Sequence, residues 1–320
     1  MSLAALAVAA CGGASNSSVS PTTAAGKTPT AVLNPNVSGS VDVDGSSTVF
    51  PITEAMAEEF RKVAPQVRVA VGVSGTGGGF KRFCNDELDI SDASRPITET
   101  EKTACEANGV QYLELSVAFD GLSVLVNPQN TWVDNLTVAE LKKIWEPSSV
   151  VKRWNQVRPN WPDQAINLYG PGTDSGTFDY FTEVINGKAK DSRADYTASE
   201  DDNTLVQGIA GQRNALGYFG YAYYVENKDK LKLVPIVGTD GKAVLPSDQT
   251  IKDGTYKPLS RPLFIYVKLK SLKEKAQVHG FVKFYLDQAA KLVPQVGYVQ
   301  LSDAIYADDK AKVEAEAARK

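Results

Sequence analysis

The sequence predicts an α/β fold, and three observations carry that prediction. Strand-like alternation and helix-like periodicity follow one another along the chain, as in sheets covered by helices. One unit, a strand followed by a loop of small residues and an amphipathic helix, occurs three times. With 42% hydrophobic and 22% charged residues, the 320-residue chain carries enough apolar surface for sizeable cores. Its length corresponds to two domains of the usual ~100–200 residues.

The first unit is "SVDVDGSSTVFPITEAMAEEFRKVAP". Val41 and Val43 alternate as in a strand, a Gly-Ser-Ser-Thr turn follows, and Ile52, Met56, Phe60 and Val63 recur at helical spacing up to Pro65. The second, "VRVAVGVSGTGGGFKRFCNDELDI", has alternating valines from 67 to 73, a Gly-rich turn, then Phe80 and Phe83 on one helical face. In the third, "AINLYGPGTDSGTFDYFTEVI", Ile166 and Leu168 lie in the strand, and Phe178, Phe181 and Ile185 form the helical stripe. A helix start leaves backbone N–H groups unpaired and carries partial positive charge, so it attracts anions. Glycine lets an anion approach the backbone, and Ser or Thr hydroxyls add donors. Each loop alone also reads as an N-cap with turn glycines. Three together read as a cage for a small oxyanion.

Composition and the ends of the chain narrow the classes further. A net charge of −4 with no visible basic patch argues against a nucleic-acid partner. The apolar start "MSLAALAVAA" is too short to span a bilayer, which takes about 20 residues. It ends at Cys11, preceded by small residues and followed by two glycines, and so resembles a bacterial lipoprotein signal whose cysteine is lipidated; residues 1–11 are read as a signal remnant. Residues 12–38, rich in Ser, Thr, Ala, Gly and Pro, read as a flexible tether. Cys84 and Cys105 match no zinc spacing, and with a single His no metal site is expected. In an exported protein the pair reads as a disulfide, worth about 3 kcal/mol on the chain-entropy model; the other reading is two buried thiols.

Familiar motifs fail one by one. "GTGGGFK" has Phe80 where GxGxxG needs its last glycine, and no Gly-Lys-Ser/Thr follows. Neither Ser74 nor Ser175 stands in GxSxG, because Thr76 and Thr173 occupy the glycine positions. His279 lies within an amphipathic helical stretch and reads as structural, so a Ser/His hydrolase is poorly supported. Binding without chemistry is the leading class, and no cofactor is expected. "DISDASRPI" adds a cation: Arg95 precedes Pro96, which holds its backbone extended, and a guanidinium forks onto two oxyanion oxygens. The competing reading of Arg95 is a surface ion pair with Asp92 or Glu99.

At this point four segments carry a family resemblance. "DGSSTVFPITEAMAEEF", "VGVSGTGGGFKRFCNDELDISDASRPIT", "YGPGTDSGTFDYF" and "NALGYFGYAYY", in that order across about residues 40–300, are similar to the phosphate-binding subunit of bacterial high-affinity phosphate ABC transporters. The resemblance implies a two-lobed type II periplasmic-binding-protein fold that closes on phosphate about a hinge, crossed near "FDGLSVLVN" and "LSRPLFIYV". It implies a discontinuous first lobe of residues 39–121 and 262–320, and a second lobe of residues 122–261. Carried over residue by residue, it implies as ligands Thr48 with the N–H groups of Val49 and Phe50, Ser47 being the alternative if the loop is shifted by one. It further implies Ser74 with Gly75 and Thr76, and Ser175 with Gly176 and Thr177.

This chain departs from the family pattern in two places. Many members carry an Arg just before the third loop, where this chain has Gly170 and Pro171, and an Asp in the second motif, where it has Arg95. Arg95 is therefore expected to supply the guanidinium from the other lobe. Phosphate at neutral pH has a proton to donate and sulfate does not, so a buried carboxylate could select between them. Asp120 and Asp174 are the two candidates.

The expectation as a whole is a monomeric, lipid-anchored receptor in the periplasm or at the cell surface. It would hand inorganic phosphate to a membrane permease and its ATPase. The alternatives are a phosphate-ester hydrolase, which lacks a nucleophile–base pair or metal cluster here, and a receptor for another oxyanion such as sulfate. "LGYFGYAYY" reads as core packing, "WEPSSVVKRWNQVRPNWP" as an irregular segment, and "VENKDKLKL" and "DDKAKVEAEAARK" as solvated helix faces.

Overall fold

A computed structural model describes residues 37–173, 175–199 and 201–319; Cys11, most of the 12–38 tether and Asp174 lie outside the described residues. Among the described residues the first elements are β1 (Gly39–Gly45), α1 (Phe50–Val63), β2 (Val67–Val71), α2 (Thr76–Cys84), β3 (Ile90–Ala93) and α3 (Glu99–Ala107). The long strand β4 (Tyr112–Val126) leads to β5 (Leu136–Thr137), α4 (Val138–Trp145), β6 (Asn167–Pro171) and α5 (Gly176–Asn186). Then come β7 (Thr197–Ser199), α6 (Asp202–Gly211), β8 (Ala215–Gly220), α7 (Tyr221–Glu226), β9 (Lys232–Leu233), β10 (Ile236–Val237), β11 (Ala243–Val244) and α8 (Asp248–Lys252). The chain finishes with β12 (Ser260–Lys268), α9 (Leu269–Glu274), α10 (Ala276–Gln295) and α11 (Asp303–Ala318).

All three strand–loop–helix units form, although Val73 lies beyond the end of β2 and Ile166 one residue ahead of β6. In α1, Pro51 occupies the first turn, where its missing N–H costs nothing, and Ile52, Met56 and Phe60 are buried. Val63, expected on the same stripe, is instead exposed, because the stripe continues in steps of four to Ala64, which is buried. Capping boxes start α3 at Thr98 with Glu101 and α4 at Thr137 with Glu140. His279 stands on α10 with Nε2 3.6 Å from Glu314 of α11, a structural contact. "LGYFGYAYY" divides into β8, where Tyr218 and Phe219 are fully buried, and α7. The irregular segment buries Trp145, Trp154 and Trp161 in one core. "VENKDKLKL" is not a helix face: α7 ends at Glu226 and the run closes as β9, because its Leu231 is buried against β8-side residues.

Among the described residues the main sheet runs β2-β1-β3-β12-β4-β8-β6-β7, with β9 added on β4. Strand β4 organises it. Its first part, Tyr112–Gly121, pairs antiparallel with β12, and its last five residues, Leu122–Val126, pair with β8. One core forms on each side of that change of partner. The first gathers residues from Val41 to Ala118 and from Leu263 to Val313, and the second gathers Leu122 to Leu259 with Val299. Beside the change of partner, Phe119 and Val299 exchange backbone hydrogen bonds of 2.7 and 2.9 Å, so a third stretch of chain flanks the crossing strands. This is the two-lobed periplasmic-binding fold, and a disulfide joins Cys84 of α2 to Cys105 of α3. Phe281 of α10 is fully buried against Phe60 and Tyr285. Phe281→Ala is expected to lower unfolding free energy by about 3–5 kcal/mol, read as a fall in the urea midpoint.

Candidate functional site

The first loop folds onto the sheet and onto itself. Ser46 N–H donates to the Asp92 carbonyl of β3 at 2.9 Å, and Ser46 Oγ accepts the Thr48 N–H at 3.2 Å. Ser46 and Thr48 are both buried, so their polar atoms are held by the protein rather than by water. Two hydroxyls of the loop reach α5 and the turn before it: Ser47 Oγ donates to Asp179 Oδ2 at 3.3 Å, and Thr48 Oγ1 donates to the Gly176 carbonyl at 3.4 Å. Position 176 has to be glycine, since a Cβ there would stand 2.7 Å from the Thr48 Cα.

The second loop turns on Gly75, whose φ of +77° places it in the left-handed region, just before α2. Thr76 Oγ1 lies 3.1 Å from Ser94 Oγ and accepts the Ser94 N–H at 3.2 Å, which ties the start of α2 to the end of β3. Asp44 ties the first two loops together, because its Oδ1 accepts from Gly45 N–H at 2.8 Å and Ser74 N–H at 2.9 Å while Arg82 pairs with Oδ2.

Between these loops and α5 lies a cavity of about 240 Å³. Its wall is made by Ser46, Ser47 and Thr48; by Gly75, Thr76 and Gly77; by Ser94 and Arg95; by Asp179, Tyr180, Glu183 and Ala189 of α5 and the turn after it; and by Arg261 of β12. Arg261 is a cation on this wall. Its Nη2 donates to Thr48 Oγ1 at 2.8 Å, its Nε lies 3.3 Å from Asp120 Oδ2, and its guanidinium sits 3.6 Å from the ring centre of Tyr180. The three contacts hold the planar group from its edge, its base and its face. Burial pushes the Asp120 carboxyl above its usual range, and the Arg261 charge opposes that shift. Burial likewise raises the Asp179 carboxyl, opposed by Lys190, by the Ser47 hydroxyl and by Arg261.

The residues expected from sequence divide accordingly. Ser47, Thr48, Gly75, Thr76 and Arg95 line the cavity. Arg95 is not the free guanidinium expected: both of its terminal nitrogens pair with Glu101 at 2.8 Å, and Glu101 also caps α3. Its partner is neither Asp92 nor Glu99. Val49 is packed into the first core, and the Phe50 N–H donates to the Ser46 carbonyl at 3.0 Å. Ser74 lies off the wall and commits its N–H to Asp44. Ser175 caps α5 by accepting the Thr177 N–H at 3.2 Å, while Gly176 turns its carbonyl to Thr48. Asp120 stands behind Arg261, off the cavity wall. Sequence reasoning missed Ser46, Gly77, Ser94, Asp179, Tyr180, Glu183, Ala189 and Arg261. A signal for Arg261 was present, because it precedes Pro262 in a predicted crossing strand just as Arg95 precedes Pro96. Among the described residues no group of His, Cys, Asp and Glu is arranged to hold a metal. The wall offers hydroxyl donors and a guanidinium, which is the chemistry of oxyanion binding.

Comparison with known proteins agrees with this fold. The model of the PBP superfamily domain matches residues 24–289. Protein SphX of Synechococcus elongatus is 54% identical over 83% of this chain and 79% of its own length. The phosphate-binding protein PstS of Staphylococcus saprophyticus is 42% identical over 86% of this chain and 85% of its own. The crystal structure of a possible phosphate binding protein from Planctomyces limnophilus superposes with a TM-score of 0.85 at 51% identity, covering 88% of this chain and all of that one. The chain therefore belongs to the PBP superfamily, in the family of the phosphate-binding protein PstS.

Proposed function

We propose that this protein is an extracytoplasmic receptor that binds inorganic phosphate between its two lobes and delivers it to the permease and ATPase of a membrane ABC transporter. The observation that carries the reading is the Arg261 guanidinium facing a cavity walled by the Ser46–Thr48 loop, Thr76 and Ser94. The relatives named as phosphate-binding proteins support the same ligand. The ligand set combines the hydroxyls of Ser47, Thr48, Thr76 and Ser94 from the first lobe with Arg261 and Asp179 from the second. The lobes divide into residues 39–121 with 262–320 and residues 122–261, a division supported by the two cores and by the change of partner along β4. The receptor acts as a monomer held at the membrane by a lipid on Cys11. It binds without catalysis; His279, the one base of its kind in the sequence, lies on α10, away from the cavity wall.

Selectivity follows from which carboxylate reaches the ligand. Asp120 is committed to Arg261, so its part is to aim the guanidinium. Asp179 lines the cavity, and its Oδ2 already accepts one hydroxyl proton, that of Ser47. It is placed to accept the proton of hydrogen phosphate and to repel sulfate.

Calorimetric titration of ligand-stripped protein with phosphate, sulfate and a phosphate monoester tests the reading. One-to-one binding of phosphate is expected, with sulfate far weaker and the monoester neither bound tightly nor hydrolysed; equal binding of sulfate would remove the carboxylate argument. Arg261→Lys keeps the charge and loses the fork, and should weaken phosphate binding about tenfold to a hundredfold, the range of one charge-assisted hydrogen bond of about 1.5–3 kcal/mol. Asp179→Asn should narrow the phosphate-to-sulfate affinity ratio more than it lowers phosphate affinity. An unchanged ratio would exclude Asp179 as the acceptor.

A further inference from the structure

Asp92 lies in the middle of β3 with no exposed surface. Among the described residues neither of its carboxyl oxygens meets a partner at hydrogen-bonding geometry. The titratable groups that face it are Asp44 from β1 and Tyr285 from α10. Strand β12 sets the apolar Ile265 opposite it, and α1 brings the Thr53 hydroxyl, itself shared with Tyr285 Oη at 3.2 Å. No cation is among these neighbours. An ionised carboxylate held there would lose its hydration with nothing to replace it.

The backbone of the same residue carries the first loop. The Asp92 carbonyl accepts the Ser46 N–H, and Asp92 pairs in register with Gly45 of β1. Thr53, the hydroxyl nearest the acid, sits in the first turns of α1, directly after Ser46–Thr48. The acid is therefore packed under both ends of the loop that supplies Thr48 and abuts Arg261.

We propose that Asp92 is a positioning residue that works as a neutral acid, keeping β3 and the start of α1 seated so that the Ser46–Thr48 loop holds its oxyanion-binding shape, and that its ionisation unseats that loop. Desolvation raises its carboxyl to about 8, with the Asp44 charge adding to the rise and the Thr53 hydroxyl opposing it. The sign is fixed by linkage. A carboxyl raised in the folded protein stabilises it fully below the unfolded value of about 3.9, and that contribution is lost as pH rises through about 8. Loop seating, and phosphate affinity with it, declines over the upper part of that window.

This inference rests on the phosphate-receptor reading, and the experiment separates the two. Dissociation constants for inorganic phosphate are measured for wild type and Asp92→Asn from pH 6 to pH 9. The ligand's own ionisation cancels in their ratio. The wild-type to variant ratio is expected to be level below pH 7 and to climb about tenfold between pH 7 and pH 9, as one proton per molecule requires. A ratio that stays flat overturns the inference and leaves the receptor reading standing; no phosphate binding by wild type at any pH overturns both. Should Asp92→Asn not fold, carbon-detected NMR of aspartate carboxyls in wild type reads the same coupling. A titration near pH 8 that moves upward on saturation with phosphate supports the inference, by reciprocity of the linkage. A carboxyl that is ionised throughout pH 6–9, or whose midpoint ignores phosphate, overturns it.

Discussion

The site depends on the pairing of Arg261 with Asp120. The two residues face each other in register on β12 and β4, the strands on which the chain passes between its lobes. A buried carboxylate alone would be costly and would protonate, and a buried guanidinium alone would pull water into the crossing. Paired, each offsets part of the other's desolvation, although such a pair adds little net stability compared with apolar residues of the same size. What it gains is direction. With Asp120 at its base and Tyr180 on its face, the guanidinium has its remaining edge turned to Thr48 and the cavity. A lysine could neutralise Asp120 but could not be oriented by a ring and a carboxylate at once.

That placement explains how an acidic protein holds an anion. Several carboxylates surround the cavity, yet most are spent on donors nearby. Asp44 takes two loop N–H groups and Arg82, Glu101 takes Arg95 and caps its own helix, and Asp120 takes Arg261. Each orients a group that donates, so the charge of the chain and the polarity of the site are separate matters. Fixed donors at short range outweigh a net charge spread over the whole surface.

Most of the fold was legible because its signals are local. Alternation in β1 and β2, the apolar stripe in α1 and the small-residue loops need only neighbours in sequence, and they appear as read except at their ends. Val63 misled because Ala64, one residue on, has the better angle to the core. The site was legible as loops and less so as contacts. Thr48 and Arg261 are 213 positions apart, and nothing in either neighbourhood says that β12 returns to the sheet between β3 and β4. Arg95 was overvalued for the opposite reason: its partner Glu101 is six residues away, but the capping box that fixes Glu101 there outranks a charge pattern. The third loop was expected to supply ligands at Ser175, Gly176 and Thr177, whereas Gly176 directs a carbonyl at Thr48.

The contacts that join α5 to the first loop are of a different strength from those within each lobe. Ser47 to Asp179 and Thr48 to the Gly176 carbonyl are single hydroxyl bonds at 3.3 and 3.4 Å, whereas each lobe is closed by a core of more than twenty buried side chains. A net value near 1 kcal/mol for an ordinary hydrogen bond makes these two contacts cheap to break, and the cores hold each lobe together. Bending at the crossing, where β4 changes partner and Arg261 is in reach of both sides, would disturb the fewest contacts. An oxyanion that engaged Arg261 and the loop hydroxyls together would add charge-assisted bonds to that weak set, and so would favour closure by the difference between them. The same residues then set affinity and conformation together.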